Sequence, residues 1–403
     1  MLVTLAAIQF TNTLDFMIMM PLAPQFTRLF DLSTQQFGFL ISAYTFAAAA
    51  VGVVTAVFVD RFDRKRLLLT IYAGFIISAL VTASAQSYAM LLAARALAGV
   101  FGGVLGGIIF TVVGDAVPDA RRGRATGIVM TSFSVATVAG VPAALLLTNL
   151  FDWRAAFVLV AALGAINAWA ARRTLPRVHH ARQGAGERRH EHSVWAAFMR
   201  TLTFPNHLRA FAFTLLMMIS GFTVIPYVSL YITSNAGLPE RDLPWVYLVG
   251  GVATFFSARW IGRWADRAGK REVYRRVALL SVVPLVAITH APLLSLPAIV
   301  VLTTLFFVFV SGRMVPGMAV VTGAAQPNAR GAFMTLNGAV LQIGSGIAAT
   351  VSGAIVQRAP GGNLLHYDWV GYLAVAATLT AIAWVGTIQT LDASPVLATQ
   401  KPA

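Results

Sequence analysis

The chain has no cysteine and little acid: none of its 403 residues is Cys, and Asp and Glu together number 15. The first absence excludes a disulfide framework and a cysteine-ligated metal site. Charge of either sign is scarce, at 11% of residues against 58% hydrophobic. A soluble chain of that composition would bury nearly everything and have too little polar surface to meet water. No G-x-x-x-x-G-K-[ST] run is present to cradle a phosphate, which excludes a P-loop nucleotide-driven machine. Segments of about 10 residues alternating polar and apolar, the mark of a transmembrane barrel, are missing too. The N-terminus lacks a charged n-region and a cleavage site, and the first apolar run is too long for a signal peptide, so it reads as a retained first helix.

What is present is apolar sequence in long runs, with a mean hydropathy of +0.74. A hydrocarbon core about 30 Å thick is crossed by roughly 20 helical residues. Twelve runs of that kind stand at 3–27, 36–59, 67–86, 89–114, 124–149, 154–171, 209–234, 243–265, 276–291, 295–321, 331–356 and 369–391. They predict an all-α membrane protein of twelve transmembrane helices.

The formal charge of +15 would suit a nucleic-acid binder, but its distribution suits a membrane. Of the 30 Lys and Arg, 22 fall in one alternate set of loops and tails and only Arg28, Arg154, Arg241 and Arg358 in the other. Cytoplasmic loops carry such an excess. The pattern predicts an inner-membrane protein with both termini cytoplasmic and no nucleic-acid partner. The longest polar stretch, 172–207, is rich in Arg and His and reads as a solvated linker rather than a metal site.

Two short charged segments repeat. Ala56-Val-Phe-Val-Asp60-Arg61-Phe-Asp63-Arg64-Lys65-Arg66 is matched by Gly262-Arg-Trp-Ala-Asp266-Arg267-Ala-Gly269-Lys270-Arg271, 206 residues on. Pro118-Asp-Ala-Arg-Arg122-Gly123 is matched by Pro327-Asn-Ala-Arg330-Gly331, with Arg122 and Arg330 offset by 208. Each sits between apolar runs. The organisation implied is a six-helix bundle at 1–171, a basic linker at 172–207, a second bundle at 208–391 and a tail at 392–403. Parallel six-helix repeats are the build of a secondary transporter with its substrate site between the halves near the midplane.

These features make the chain resemble the major facilitator superfamily over essentially its whole length. The hairpin resembles the family's G-x-x-x-D-R-x-G-R-K loop. The second copy is complete at Gly262, Asp266, Arg267, Gly269 and Lys270, whereas Ala56 and Asp63 replace glycines in the first. Asp63 is expected to accept a turn conformation. The resemblance implies two pseudo-symmetric bundles rocking in alternating access. It also implies a cytoplasmic gate in which Asp60 caps the eleventh helix, Arg64 pairs with Asp115, Arg61 belongs to the same cluster, and Asp266, Arg267 and Lys270 form its symmetry mate. Gly140-Val141-Pro142 resembles a degenerate antiporter motif and favours export. The chain looks most like the drug and arabinose-type efflux branch.

Two ionisable residues stand inside predicted spans away from helix ends. Asp15 lies about 18 Å along the first helix, and Arg95 about 9 Å below the outer end of the fourth. Those positions put them at similar depth. Charges so placed are expensive and mark function. In the family fold the first and fourth helices are neighbours, and Arg95 resembles an arginine of many proton-coupled members. The expectation is an Asp15–Arg95 pair or water-bridged relay coupling protons to transport. Cavity candidates are Asn12, Phe16, Met19, Phe101, Met217, Phe222, Tyr227, Phe306, Asn337 and Gln342, aromatic and thioether side chains suiting adaptable binding of hydrophobic molecules. Arg313 is read as a snorkelling side chain near the cytoplasmic end of the tenth helix. Gly99, Gly102, Gly103, Gly106 and Gly107 are read as packing glycines. The whole predicts a monomeric, non-enzymatic exporter of small hydrophobic or sugar-like molecules against protons, surrounded by membrane lipid. It needs no cofactor beyond the proton gradient. A proton-linked importer and a lipid flippase or scramblase are the alternatives.

Overall fold

The computed structural model describes residues 1–58, 63–175, 198–326 and 329–391. They form helical rods joined by short turns. The first half comprises α1 (Leu2–Ile18) with α2 (Ala23–Leu29), α3 (Thr34–Phe58), α4 (Arg64–Ala83), α5 (Tyr88–Ala116), α6 (Asp119–Val135) with α7 (Val141–Leu150), and α8 (Arg154–Thr174). The second comprises α9 (Pro205–Phe222) with α10 (Val228–Ser234), α11 (Leu243–Ala268), α12 (Lys270–Thr289), α13 (Leu296–Gly312) with α14 (Met314–Gly323), α15 (Arg330–Ile355) and α16 (Tyr367–Trp384). Among the described residues nine helices are long and apolar enough to cross a membrane, or ten when the bent pair α1–α2 counts as one span. The two other rods, α11 with 26 residues and α12 with 20, are long enough but more polar.

The halves repeat their irregularities as well as their rods. The first rod of each half breaks after about five turns. Pro21 lies in the 55° bend between α1 and α2, and Pro226 lies in the 3₁₀ turn Ile225–Tyr227 between α9 and α10. Proline supplies no N–H and clashes with the preceding turn. The hairpins also correspond. Gly269, at φ +90°, ends α11, a conformation costly for any side chain. Asp63 has φ −59° and N-caps α4, its carboxylate accepting the Arg66 amide at 2.7 Å. Asp63, expected to accept a turn conformation, does so as a helix cap at negative φ.

Just beyond each hairpin a cation closes a helix end. Lys65 donates to the Arg172 and Leu175 carbonyls, at 2.7 and 2.6 Å, where α8 terminates. Arg271 donates to the Ile388 carbonyl beyond α16. Helix C-termini present unpaired carbonyls and partial negative charge, which cations satisfy.

Close packing within the first half uses glycine. A Cβ on Gly99 would stand 2.2 Å from the Tyr44 carbonyl oxygen, and one on Gly103 2.5 Å from Ala48 Cα, so α5 lies directly on α3. Gly106 and Gly107 do not share that role: the nearest atom to a Gly106 Cβ is Gln9 Oε1 at 3.9 Å, and Gly107 faces open space.

The halves meet at the end opposite the hairpins. Thr34 donates to the Val356 carbonyl at 2.5 Å, the Tyr227 hydroxyl stands 3.0 Å from the Thr34 carbonyl and 3.2 Å from that of Ala349, and Asn149 donates to the Arg241 carbonyl at 3.1 Å. Arg28 pairs with Glu240 through both guanidinium ends. Small residues let α3 and α15 touch: a Cβ on Gly38 would lie 2.6 Å from the Ala349 carbonyl oxygen, and one on Gly353 2.8 Å from that of Thr34. Toward the hairpins the glycines of these helices are not used for close approach. A Cβ added at Gly52 on α3, or at Gly331 or Gly338 on α15, would meet nothing within 4 Å, and the same holds for Gly114 on α5. The contacts between α3 and α15 thus close the end opposite the hairpins.

Candidate functional site

Asp15 and Arg95 meet in the first half. Arg95 Nη1 stands 3.0 Å from Asp15 Oδ2, with the side chains 1% and 0% exposed. The pair is incomplete: Asp15 Oδ1 and Arg95 Nε have no hydrogen-bond partner. A bidentate carboxylate–guanidinium pair would use both oxygens; here one oxygen is left without a partner. A buried pair adds little net stability, because desolvation offsets attraction, while removing one partner is costly.

Tyr44 connects the pair to the interface between the halves. Its ring lies 4.9 Å from the Arg95 guanidinium carbon, and its hydroxyl donates to Asn12 Oδ1 at 3.3 Å. Asn12 in turn donates to the Gly102 carbonyl at 3.1 Å. A Cβ on Gly102 would lie 2.3 Å from the Tyr44 hydroxyl, so glycine there leaves room for this network. Tyr44 belongs to α3, the helix that lies against α15 of the other half. Asp15 also stands three residues before the end of α1, where the rod begins its 55° bend.

The other expected cavity residues scatter. Phe16 and Phe222 face each other across the halves with ring centroids 6.2 Å apart, and Phe16 also packs on Tyr44 at 5.1 Å. Both are half-buried, as is Gln342. Met19, Met217 and Phe306 are buried, Met217 against Gly317. Asn337 is buried and accepts a hydrogen bond from Thr214 at 2.8 Å. Phe101 is wedged against Gly74 of α4. Tyr227 bolts the closed end, as described above.

Of the expected gate, Asp60 and Arg61 lie outside the described residues, as does the Asp115 side chain, whose backbone is one residue from the end of α5. Arg64 is buried at the first position of α4. Asp266, Arg267 and Lys270 are exposed around the second hairpin. Gly140 closes a five-residue π-helical stretch, Ala136–Gly140, and Val141-Pro142 opens α7. Such π-bulges recur at functional sites. A Cβ on Gly251 of α11 would lie 2.7 Å from the Thr137 carbonyl oxygen within that bulge, so the bulge is a second seam between the halves.

Several groups that matter here carry no sequence signal. Gln9 Oε1 is buried without a partner beside the open face of α5. Arg28, Glu240 and Thr34 form the closed end, and Lys65 caps α8. Arg313 is wholly buried rather than snorkelling: its rod, Leu296–Gly323, continues ten residues beyond it, too far for the side chain to reach water.

The family model described as "Major Facilitator Superfamily" matches residues 5–313 and 210–402. The chain belongs to the major facilitator superfamily. It is 25% identical over 366 residues to the uncharacterized MFS-type transporter YtbD of Bacillus subtilis (strain 168), covering 90% of this chain and 89% of that protein. The fold is similar to that of a bacterial homolog of the human lysosomal transporter Spinster in an inward-facing, unoccupied conformation, with a TM-score of 0.68 and 16% identity over 96% of this chain and 94% of that one. It is also similar to a crystal structure of the nucleoside transporter NupG, with a TM-score of 0.75 and 12% identity over 96% and 99%. At those identities the likeness is one of fold. The protein is thus a multi-pass membrane transporter of the MFS type.

Proposed function

We propose that this transporter exports small hydrophobic or sugar-like molecules in exchange for protons entering the cell, with Asp15 as the proton-carrying group and Arg95 as its partner. The buried, half-satisfied Asp15–Arg95 pair carries the reading. With Asp15 ionised, the pair is neutral as a unit. When a proton binds to Asp15, the attraction ends and Arg95 is left as the one charge, over Tyr44 of α3. Because α3 seals against α15, the protonation state of Asp15 biases which end of the interface between the halves closes. A proton and a substrate that favour opposite states exchange across the membrane without meeting.

The positive-inside distribution supports a hairpin end facing the cytoplasm of an inner-membrane protein, with the contacts between α3 and α15 sealing the opposite, outer end. The π-bulge over Ala136–Gly140 and the half-buried Phe16 and Phe222 support an export route for apolar molecules. Gln9 offers a polar anchor beside that route. The hairpin residues Asp60, Arg61, Arg64 and Asp115, with Asp266, Arg267 and Lys270, are assigned to the gate that closes the inward end in the other state.

The test uses inverted membrane vesicles with an imposed pH gradient and a panel of hydrophobic cations, neutral antibiotics, nucleosides and sugars. Substrate-triggered proton movement in the parent and none in Asp15→Asn is expected. Proton-independent transport by both proteins would discard the antiport reading.

A further inference from the structure

The second half contains a buried cation that, among the described residues, has no counter-charge. Arg313 stands between α13 and α14 and is 0% exposed. Among the described residues no carboxylate lies within ion-pairing distance of it. Its Nη1 donates to Thr378 Oγ1 at 2.9 Å and Ser281 Oγ at 3.2 Å. Both hydroxyls already give their own protons to backbone carbonyls, Thr378 to Ala374 at 2.7 Å and Ser281 to Ala278 at 2.6 Å. They can accept from Arg313 but have nothing left to donate. Arg313 Nε and Nη2 remain without partners, and so does the buried Tyr274 hydroxyl. Tyr274 is near enough for its phenol and the guanidinium to interact electrostatically. Its ring rests on Gly317, whose amide bonds the Arg313 carbonyl at 3.1 Å.

We propose that Arg313 and Tyr274 bind a small monovalent anion of chloride's size inside the second half. The unfilled donors are one N–H at Nε, two at Nη2 and one phenolic O–H, with the phenolic oxygen as the one unfilled acceptor. A water molecule accepts two of these at most, brings two donors to a place with one free acceptor, and leaves the guanidinium charge uncompensated. An anion accepts all of them, needs no donor in return, and neutralises a guanidinium whose burial in a membrane protein is otherwise very costly. The surroundings favour a monatomic ion over an organic carboxylate. A methyl added at Gly221 would lie 3.7 Å from Nη2 and 3.6 Å from each of the Ile225 and Val310 side chains, so the space beside the guanidinium is walled by apolar groups. The site lies among α9, α12, α13 and α16, apart from the Asp15–Arg95 pair in the other half, and does not depend on the transport reading.

The purified full-length protein in detergent tests this. Its thermal unfolding midpoint is followed as gluconate is replaced by chloride, bromide or sulfate at constant ionic strength, alongside equilibrium binding of radioactive chloride. A saturable rise with chloride and bromide but not sulfate, and one chloride bound per chain, is expected. Tyr274→Phe should raise the half-saturating concentration about tenfold, the equivalent of about 1.4 kcal/mol, and Arg313→Met should abolish the response. If Arg313→Met does not fold, Tyr274→Phe decides alone. A midpoint indifferent to the anion, a linear unsaturated salt effect, or an unchanged half-saturation in Tyr274→Phe would each overturn the proposal.

Discussion

Lys65 in the first half and Arg271 in the second, 206 residues apart, play the same part, since each reaches back to close the C-terminal end of the last rod of its bundle. Asp15 and Arg95 have no such counterparts. The residues 208 positions further on are Thr223 and Thr303, both buried, and each spends its hydroxyl on its own helix, at 2.9 and 2.7 Å. Conversely, Arg313 corresponds by the same offset to Leu105, a fully buried core residue. The bundles therefore share what builds a six-helix half, namely broken first rods, hairpins and capped ends. They differ in where charge is buried. The first half holds a buried carboxylate–guanidinium pair, and the second, among the described residues, a guanidinium with hydroxyl neighbours and no carboxylate. Scaffold duplicates readily because many residues share its cost, whereas a buried charge must be compensated locally and so becomes specific to one half.

That contrast gives graded predictions. The largest effect belongs to Arg95→Met, which strands the Asp15 carboxylate in the bundle interior and should cost about 3–5 kcal/mol. Replacing both partners, Asp15→Leu with Arg95→Met, should recover most of it while leaving transport dead. Thr223→Val and Thr303→Val should stay within about 1 kcal/mol. Denaturant unfolding in detergent compares them, and equal losses in both halves would erase the contrast.

Next in size is Gly99→Ala. Its methyl would meet backbone 2.2 Å away and force α5 off α3, at about 1–3 kcal/mol. Gly52→Ala, pointing into open space, should fall within about 0.5 kcal/mol. Expression yield and thermal midpoint read both.

Smaller again is the bolt at the closed end. Tyr227→Phe and Thr34→Val each remove hydrogen bonding between the halves worth about 1 kcal/mol, which should shift the conformational balance about fivefold per substitution. The cysteine-free background makes the readout clean. A single cysteine placed by Gly338→Cys, where a Cβ would meet nothing within 4 Å, should react more slowly with a polar maleimide once the bolt is weakened. A faster or unchanged reaction would show that these bonds do not hold the state. The smallest effect is expected for Arg28→Ala. Its ion pair with Glu240 is solvent-exposed, worth at most about 1 kcal/mol, and should fade further in high salt.

The rods and the two-half repeat can be read from the sequence because a membrane helix must be long and apolar and because charged hairpins stand out against that background. Rotation of the rods cannot. When every face of a helix is apolar, periodicity no longer says which side meets a neighbour, so Phe101, expected at the cavity, turns instead toward Gly74. Tyr227 reads as a cavity aromatic, and nothing in its local sequence announces two carbonyls from different halves. The similar depth of Asp15 and Arg95 is legible because rise per residue is fixed. The burial of Arg313 is not, since snorkelling and burial differ by a side-chain direction that no sequence pattern encodes. The closed end is equally hidden: Thr34 and Val356 are 322 residues apart, and their bond exists only because glycines on α3 and α15 let the backbones touch.

Asp15, on this reading, couples protons to substrate movement without itself building the substrate site. Reconstituted Asp15→Asn, given any substrate the parent carries, separates the two. Asparagine keeps the shape of the side chain and removes its titration. Substrate exchange with equal pH on both sides should persist within severalfold of the parent, while accumulation driven by a pH gradient should vanish. Gradient-driven accumulation at the parent's level in Asp15→Asn would contradict the claim and place the proton elsewhere in the molecule.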